Sequence, residues 1–425
     1  MSFARRLKQA RLSAGMTQAQ LAEPMYTHAY VSTLEAGRRQ PSPTAAKHFA
    51  QKLGMDVDEL LTGRPPHLAA SLRLALQEAR VALSKGEFEE TERVVQKVVK
   101  DAKKYRLLRL QATATELLAL TAERRGQVSA ALELYQETEE LLNEEPLPAL
   151  AGPRAGRIRC MQMDGDPRYA IYLGESLLEQ MRQKRLDDPS AKVRIQAPLV
   201  LAYFETGMRR QASAAADELL RLAPRVTDPF NLAVMHMNVA RVLMQEGDVA
   251  DADESLRRAE DHFRSLDLQT ELGRAHLARG YLFLLHDRLD EAEPELLSAV
   301  EIFELTAAEV DQGRVYTELG RLSRLRGNMD EAIERLRKAS VLLKDAKDVA
   351  EQAIVHREMG LALASSNPEA ARKNLRKAIV LFNKVDDVVE GAKTYRLLGD
   401  FLEEEREAEA AKSAYLEGLR LLERM

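Results

Sequence analysis

The chain has 425 residues, 45 % apolar and 30 % charged, which excludes a disordered polyelectrolyte and fits a folded helical or globular protein of two or three domains. Its single cysteine, Cys160, excludes an intrachain disulfide and a four-cysteine zinc site, and no apolar run of membrane-spanning length occurs. The net charge of −5 is split: residues 1–64 hold nine Lys or Arg against five acids, a net of +4, leaving −9 for the remainder, so only this small basic head is expected to face a polyanion.

The first 64 residues predict five short helices. Phe3, Leu7 and Ala10 mark one apolar face of the first, which Gly15 stops. Thr17-Gln18-Ala19-Gln20 is a capping box that opens the second, and Pro24 closes it early. The third runs from about His28 to Ala36, with Thr27 as N-cap and Gly37 as stop. Ser42-Pro43 opens the fourth, Gly54 ends it, and Asp56 caps the fifth. Residues 63–67, with Pro65 and Pro66, read as a linker. The start, Met1 to Lys8, has no apolar core of secretory length, so a cytoplasmic protein is expected.

From residue 68 the sequence repeats. Gly86, Gly126, Gly165, Gly207, Gly247, Asp287, Gly327, Asn367 and Arg406 mark turns spaced 40, 39, 42, 40, 40, 40, 40 and 39 residues apart. Seven residues before most of them stands a small residue, among them Ala79, Ala119, Ala240, Gly280, Gly320, Gly360 and Gly399. After the turn, Ala131, Ala252, Ala292, Ala332 and Ala371 share one position. Small residues on both sides let two helices approach closely. This layout resembles the tetratricopeptide repeat with a lengthened period. An all-α chain follows: a five-helix head over 1–62, then a tetratricopeptide-type α-solenoid of about nine hairpins over 68–425, curved around a concave surface.

The head resembles the Cro/CI-like, or XRE, helix-turn-helix family, through Thr17-Gln18-Ala19-Gln20-Leu21-Ala22, Tyr30-Val31-Ser32-Thr33-Leu34-Glu35-Ala36-Gly37, Pro41-Ser42 and Leu60-Leu61. The resemblance implies double-stranded DNA as partner, with the third helix in the major groove. It places His28, Ala29, Ser32 and Thr33 at base edges, with Thr27 beside them, and Gln18, Arg38 and Arg39 on phosphates. Glu35 matches the family's buried acid and Arg11 its partner. Three features depart from the pattern: the turn between helices two and three is one residue shorter, Tyr26 stands where glycine is usual, and Pro24 falls in the last turn of helix two. Family members bind inverted repeats as dimers, so a homodimer held by the solenoid is expected.

His236, His276 and His356 share one repeat position with Tyr316 and Tyr395. Equivalent positions on packed helices lie about 8–10 Å or more apart, too far to share a zinc ion, so the slot reads as aromatic packing. Arg157 and Arg159 would lower the pKa of an exposed Cys160 thiol, but a lone cysteine on a repeat helix is otherwise a packing residue. The chain shows no phosphate loop, nucleophile elbow or His-Glu-x-x-His; no cofactor, metal or enzymatic activity is expected. Arg194, Arg241, Arg274, Arg314, Arg321 and Arg357 fall on the first helices of their repeats; they form either a basic concave wall suited to an acidic peptide, a carboxylate or a small anionic ligand, or a solvated face whose arginines pair with Glu on adjacent helices.

The combination resembles the Gram-positive peptide-sensing regulators. That implies a sequence-specific transcription regulator whose solenoid binds a signalling peptide or small anionic ligand and alters the spacing of paired heads. The alternative is an adaptor whose solenoid recruits a partner protein to DNA.

Overall fold

The computed structural model describes residues 2–344, 346 and 348–423, and the chain is all-α throughout them. The head contains α1 (Phe3–Ser13), α2 (Gln18–Ala22), α3 (His28–Glu35), α4 (Pro43–Leu53) and α5 (Val57–Thr62). Each start signal acts through a side chain: Thr17 and Gln20 form both halves of the capping box, Thr27 caps α3, Ser42 caps α4 and Asp56 caps α5. The apolar faces meet in one core around Leu7, Leu21, Val31, Leu34, Phe49 and Leu60. Tyr26 joins that core, stacking on Tyr30 at 5.1 Å and lying 5.4 Å from the Phe49 ring, so its departure from glycine adds packing.

Nine hairpins follow among the described residues. They pair α6 (Leu68–Ser84) with α7 (Phe88–Lys104), α8 (Leu108–Arg124) with α9 (Val128–Leu141), and α10 (Ala151–Met163) with α11 (Pro167–Gln183). The next are α12 (Pro189–Glu205) with α13 (Arg209–Leu222), α14 (Pro229–Glu246) with α15 (Val249–Ser265), and α16 (Gln269–Leu285) with α17 (Leu289–Leu305). The last are α18 (Glu309–Leu325) with α19 (Met329–Leu342), α20 (Val349–Leu363) with α21 (Pro368–Lys384), and α22 (Val388–Glu404) with α23 (Ala408–Leu422). Even-numbered helices also pack on one another, as α10 does on α12 and α12 on α14, with no comparable packing between odd ones. The even helices therefore form the tighter, inner side of the curve.

The expected turn residues adopt left-handed backbone, from Gly86 at φ 77° to Arg406 at φ 64°, except Asn367. That residue is extended, at φ −151°, and caps α21 with its side chain. The cause is the next residue: Pro368 biases its predecessor away from helical and toward extended backbone, and is itself suited to the first helical position. A second left-handed series, Arg106, Arg185, Asp267, Ala307 and Asp386, turns the chain from one hairpin into the next.

The small residues seven before the turns allow close approach. A Cβ on Gly280 would stand 2.7 Å from Leu296, and one on Gly399 would run into the Tyr415 ring. Across each turn Ala131, Ala252, Ala292, Ala332 and Ala371 are fully buried. Between head and solenoid, Arg64 donates from its guanidinium to the Tyr105 carbonyl at 3.0 Å.

Candidate DNA-reading helix and ligand groove

In the head, Thr27, His28, Ala29 and Ser32 lie exposed along α3, with Thr33 half-buried. The Thr33 hydroxyl donates to the Tyr30 carbonyl at 2.8 Å. Arg38 and Arg39 are exposed just past the helix, and the Arg39 guanidinium lies 5.3 Å from the Tyr30 ring centre. These six exposed residues form one outward strip.

Beneath that strip Arg11 and Glu35 form a forked pair, Nε to Oε1 at 2.6 Å and Nη2 to Oε2 at 3.0 Å. Arg11 also donates to the Met16 carbonyl at 2.7 Å, tying α1, the turn and α3 together. Burial pushes the Glu35 carboxyl upward, but the hydrogen bonds from Arg11 and Gln18 outweigh it and hold the group below its ordinary range. Gln18 spends its amide on this lock, donating to Glu35 Oε2 at 2.9 Å. It is only half-buried, so the side chain still reaches the surface at the start of α2.

In the solenoid the expected wall arginines lie on inner helices, and they follow the paired reading in place of the basic strip. Arg274 pairs with Asp311 at 2.8 Å, and Arg314 with Asp311 at 3.0 Å and Asp348 at 2.7 Å. Arg321 lies between Glu318 at 2.9 Å and Glu358 at 3.2 Å, Arg357 pairs with Glu390, and Arg194 approaches Asp228 at 3.7 Å. Each guanidinium has thus drawn in a carboxylate, often from the following repeat, and the wall alternates in sign. The exception is Arg241, which has no ion pair among the described residues. The acids were open to discovery in the sequence: Glu271, Asp311, Glu351 and Glu390 recur at the spacing of the repeat. Burial and the neighbouring charges of Glu318 and Asp348 push Glu351 up to about 7.

One pair crosses the groove. Arg124 on α8 donates to Glu271 on α16, residues 147 apart in sequence. The second oxygen of Glu271 is buried without a hydrogen-bond partner, as are the amide nitrogen of Asn231 and the carbonyl oxygen of Gln196 on the inner helices.

The histidines at the shared repeat position make separate contacts. His236 is buried, stacks on His262 at 6.3 Å, and has its pKa pushed down to about 4 by burial first and then by Arg258 and His262. His356 meets Asn374 at 2.8 Å. His276 lies 2.7 Å from Glu295 and 3.6 Å from Glu260, a set close enough to hold a cation. That place already has one: the Arg279 guanidinium touches Asp253 at 2.6 Å, Glu295 at 2.8 Å and Glu260 at 3.5 Å. Cys160 is fully buried, and burial followed by the Glu123 charge pushes its thiol up to about 12. Arg159, whose guanidinium is held by Glu123 at 2.6 Å, pulls the thiol down by less than burial and Glu123 raise it.

A helix-turn-helix domain model matches residues 2–62, and a tetratricopeptide repeat model matches 76–146 and 238–304. The model for the soluble NSF attachment protein, SNAP, matches 286–425. No curated protein matches the chain. Among solved structures, the Rap protein complexed with Competence and Sporulation Factor is 14 % identical with a TM-score of 0.61, over 84 % of this chain and 98 % of that one. The apo quorum sensor NprR from B. thuringiensis is 13 % identical with a TM-score of 0.57, over 86 % of this chain and all of that one. A signal transduction ATPase with a tetratricopeptide repeat sensor from Pyrococcus horikoshii is 14 % identical with a TM-score of 0.57, over all of this chain and 64 % of that one. At these identities the likeness is one of fold.

Proposed function

We propose that this chain, a helix-turn-helix head joined to a tetratricopeptide-repeat solenoid, is a cytoplasmic, sequence-specific transcription regulator. Residues 1–62 read DNA, 63–67 link, and 68–425 sense a peptide or small anionic ligand and set the spacing of two heads in a homodimer. The observation that carries the reading is the pre-organised α3: a forked Arg11–Glu35 pair fixes it from behind while Thr27, His28, Ala29 and Ser32 face outward. The basic head on an acidic body confines attraction for DNA to that face. For the solenoid, support comes from its fold, shared with the quorum sensor NprR and with a Rap protein solved with a signalling factor bound.

Mechanistically, His28 can donate to a guanine acceptor, and Ala29 or the Thr33 methyl can meet a thymine methyl. Arg38, Arg39 and the edge of Gln18 add phosphate contacts. A ligand controls the heads by binding one curvature of the solenoid better than another, and the coupling equals that difference in affinity.

Selection of bound DNA from a random oligonucleotide pool with the full chain tests this reading, and enrichment of an inverted repeat is expected. No enrichment, with the isolated head equally silent, would overturn it in favour of a partner-recruiting adaptor. Replacing Arg38 and Arg39 together with Ala should weaken binding to all sequences and reduce the salt slope by about 2, one for each phosphate no longer neutralised.

A further inference from the structure

The sensing role proposed for the solenoid leaves open what its ligand must carry, and a comparison within the inner wall bears on that. Arg241 and Arg321 occupy the same position of their repeats, two repeats apart. Around Arg321 the wall supplies two carboxylates, Glu318 three residues before it and Glu358 on the next inner helix. At the corresponding places around Arg241 stand Asn238 and Ala278. Asn238 is already committed, its amide donating to the Ala197 carbonyl at 2.9 Å. Arg241 is open to water by area and yet ringed by protein, as a side chain on a concave wall must be. The desolvation lowers its pKa; the charges it feels are Glu205, beyond ion-pair distance, and Arg314. Glu205 instead receives a hydrogen bond from Gln162 at 3.5 Å.

A guanidinium exposed on this wall without a counter-ion keeps its N–H donors free for an incoming anion. The other five of these wall arginines each already have a carboxylate, so among the described residues Arg241 is the one of the six left to meet an anion from outside. The planar fork of N–H donors matches a carboxylate in shape. We propose that Arg241 anchors a carboxylate of the groove's ligand, in the place that Glu318 and Glu358 fill for Arg321. The carboxylate is the C-terminus of a short peptide or belongs to a free organic acid. The inference rests on the reading of the solenoid as a sensor, and it narrows the ligand to one with a carboxylate exposed at its end.

The test uses the full-length protein, its Arg241→Gln variant and, as a charge-matched control, Arg396→Gln on α22. Each is equilibrated with a random hexapeptide pool lacking Asp and Glu, with the C-terminus free in one arm and amidated in another. A third arm uses butyrate, read by the thermal midpoint. The unmodified protein and Arg396→Gln should retain about tenfold more free than amidated peptide, the effect of one charge-assisted hydrogen-bonded pair, and Arg241→Gln should lose that preference. A midpoint shift with butyrate that depends on Arg241, without peptide retention, assigns the carboxylate to a free organic acid. The proposal is overturned if both pools are retained alike, if Arg241→Gln keeps the preference, or if no probe separates it from the unmodified protein. Should Arg241→Gln lose its helical circular dichroism, Arg241→Met, which removes the charge and keeps an unbranched side chain, takes its place with the same outcomes. DNA selection run alongside keeps the readings apart: its failure counts against the regulator, and failure of the peptide and butyrate arms counts against the anchor.

Discussion

The head and the solenoid both depend on arginine–carboxylate pairs, and they place them on opposite sides of their structures. In the head, a pair sits behind α3, where Arg11 and Glu35 join α1, the turn and α3 around a closed core. In the solenoid, many pairs line an open wall and run from each repeat to the next, as Arg274 does to Asp311 and Arg357 to Glu390. A closed core makes such a pair common to the whole unit. A repeat array shares its pairs only between neighbours, so damage should stay local.

The largest expected effect probes the closed side of this contrast. Glu35→Ala leaves Arg11 buried without its partner and should cost the head about 3–5 kcal/mol, unfolding it while the solenoid stays intact. Hydrogen exchange resolved along the chain checks this, and equal loss of protection in the solenoid would break the comparison. The pair also has a pH sign. Because the Glu35 carboxyl is held below its ordinary range, its contribution is present above the unfolded pKa and lost as pH falls through the folded one.

Next, Arg279→Met removes the cation shared by Asp253, Glu260 and Glu295. The loss should be about 3 kcal/mol, confined to the α14–α17 hairpins and leaving DNA binding unchanged. Protection lost in the head as well would show that the array is more cooperative than its neighbour contacts imply. A smaller effect is expected of Gly399→Ala, whose Cβ would meet the Tyr415 ring. Overpacking there should cost about 1–3 kcal/mol and appear as early fraying of the last hairpin in limited proteolysis. The mildest test sharpens the comparison by pH. Glu351 titrates at about 7, raised by burial and by Glu318 and Asp348. An acid raised on folding weakens the fold as pH climbs from the ordinary carboxyl range through that value. The solenoid's thermal midpoint should therefore fall over this window, opposite in sign to the Glu35 effect on the head, and Glu351→Gln should flatten it.

Much of the fold was legible because its signals are local. A capping box needs only Thr17 and Gln20, and a left-handed turn announces itself as glycine at Gly86, Gly126 and Gly247. The second set of turns was not legible, since Arg106, Asp267 and Ala307 hold the same backbone without a residue type that advertises it. The wall was half legible. Its arginines stand at recognisable positions, but their sign is cancelled by acids from the next inner helix, and only superposing the repeats reveals Glu271, Asp311, Glu351 and Glu390 as a series. The packing role of Cys160 was legible but its surroundings were not: Arg159 precedes it in sequence, yet in space that guanidinium is held by Glu123. No pattern of periods could disclose the pair between Arg124 and Glu271, because it depends on how far the whole array curls.

That pair changes the mechanics of the array. A stack of hairpins stretches and twists as a spring, its stiffness spread over many small interfaces in series. A strut from α8 to α16 clamps the coils between them, so strain applied at one end is no longer shared evenly along the length. Deformation then concentrates in the unclamped hairpins, α6 with α7 beside the head and α18 to α23 at the far end. Releasing one ion pair would lengthen the compliant part of the spring, and a small displacement within the groove would become a large one at its ends.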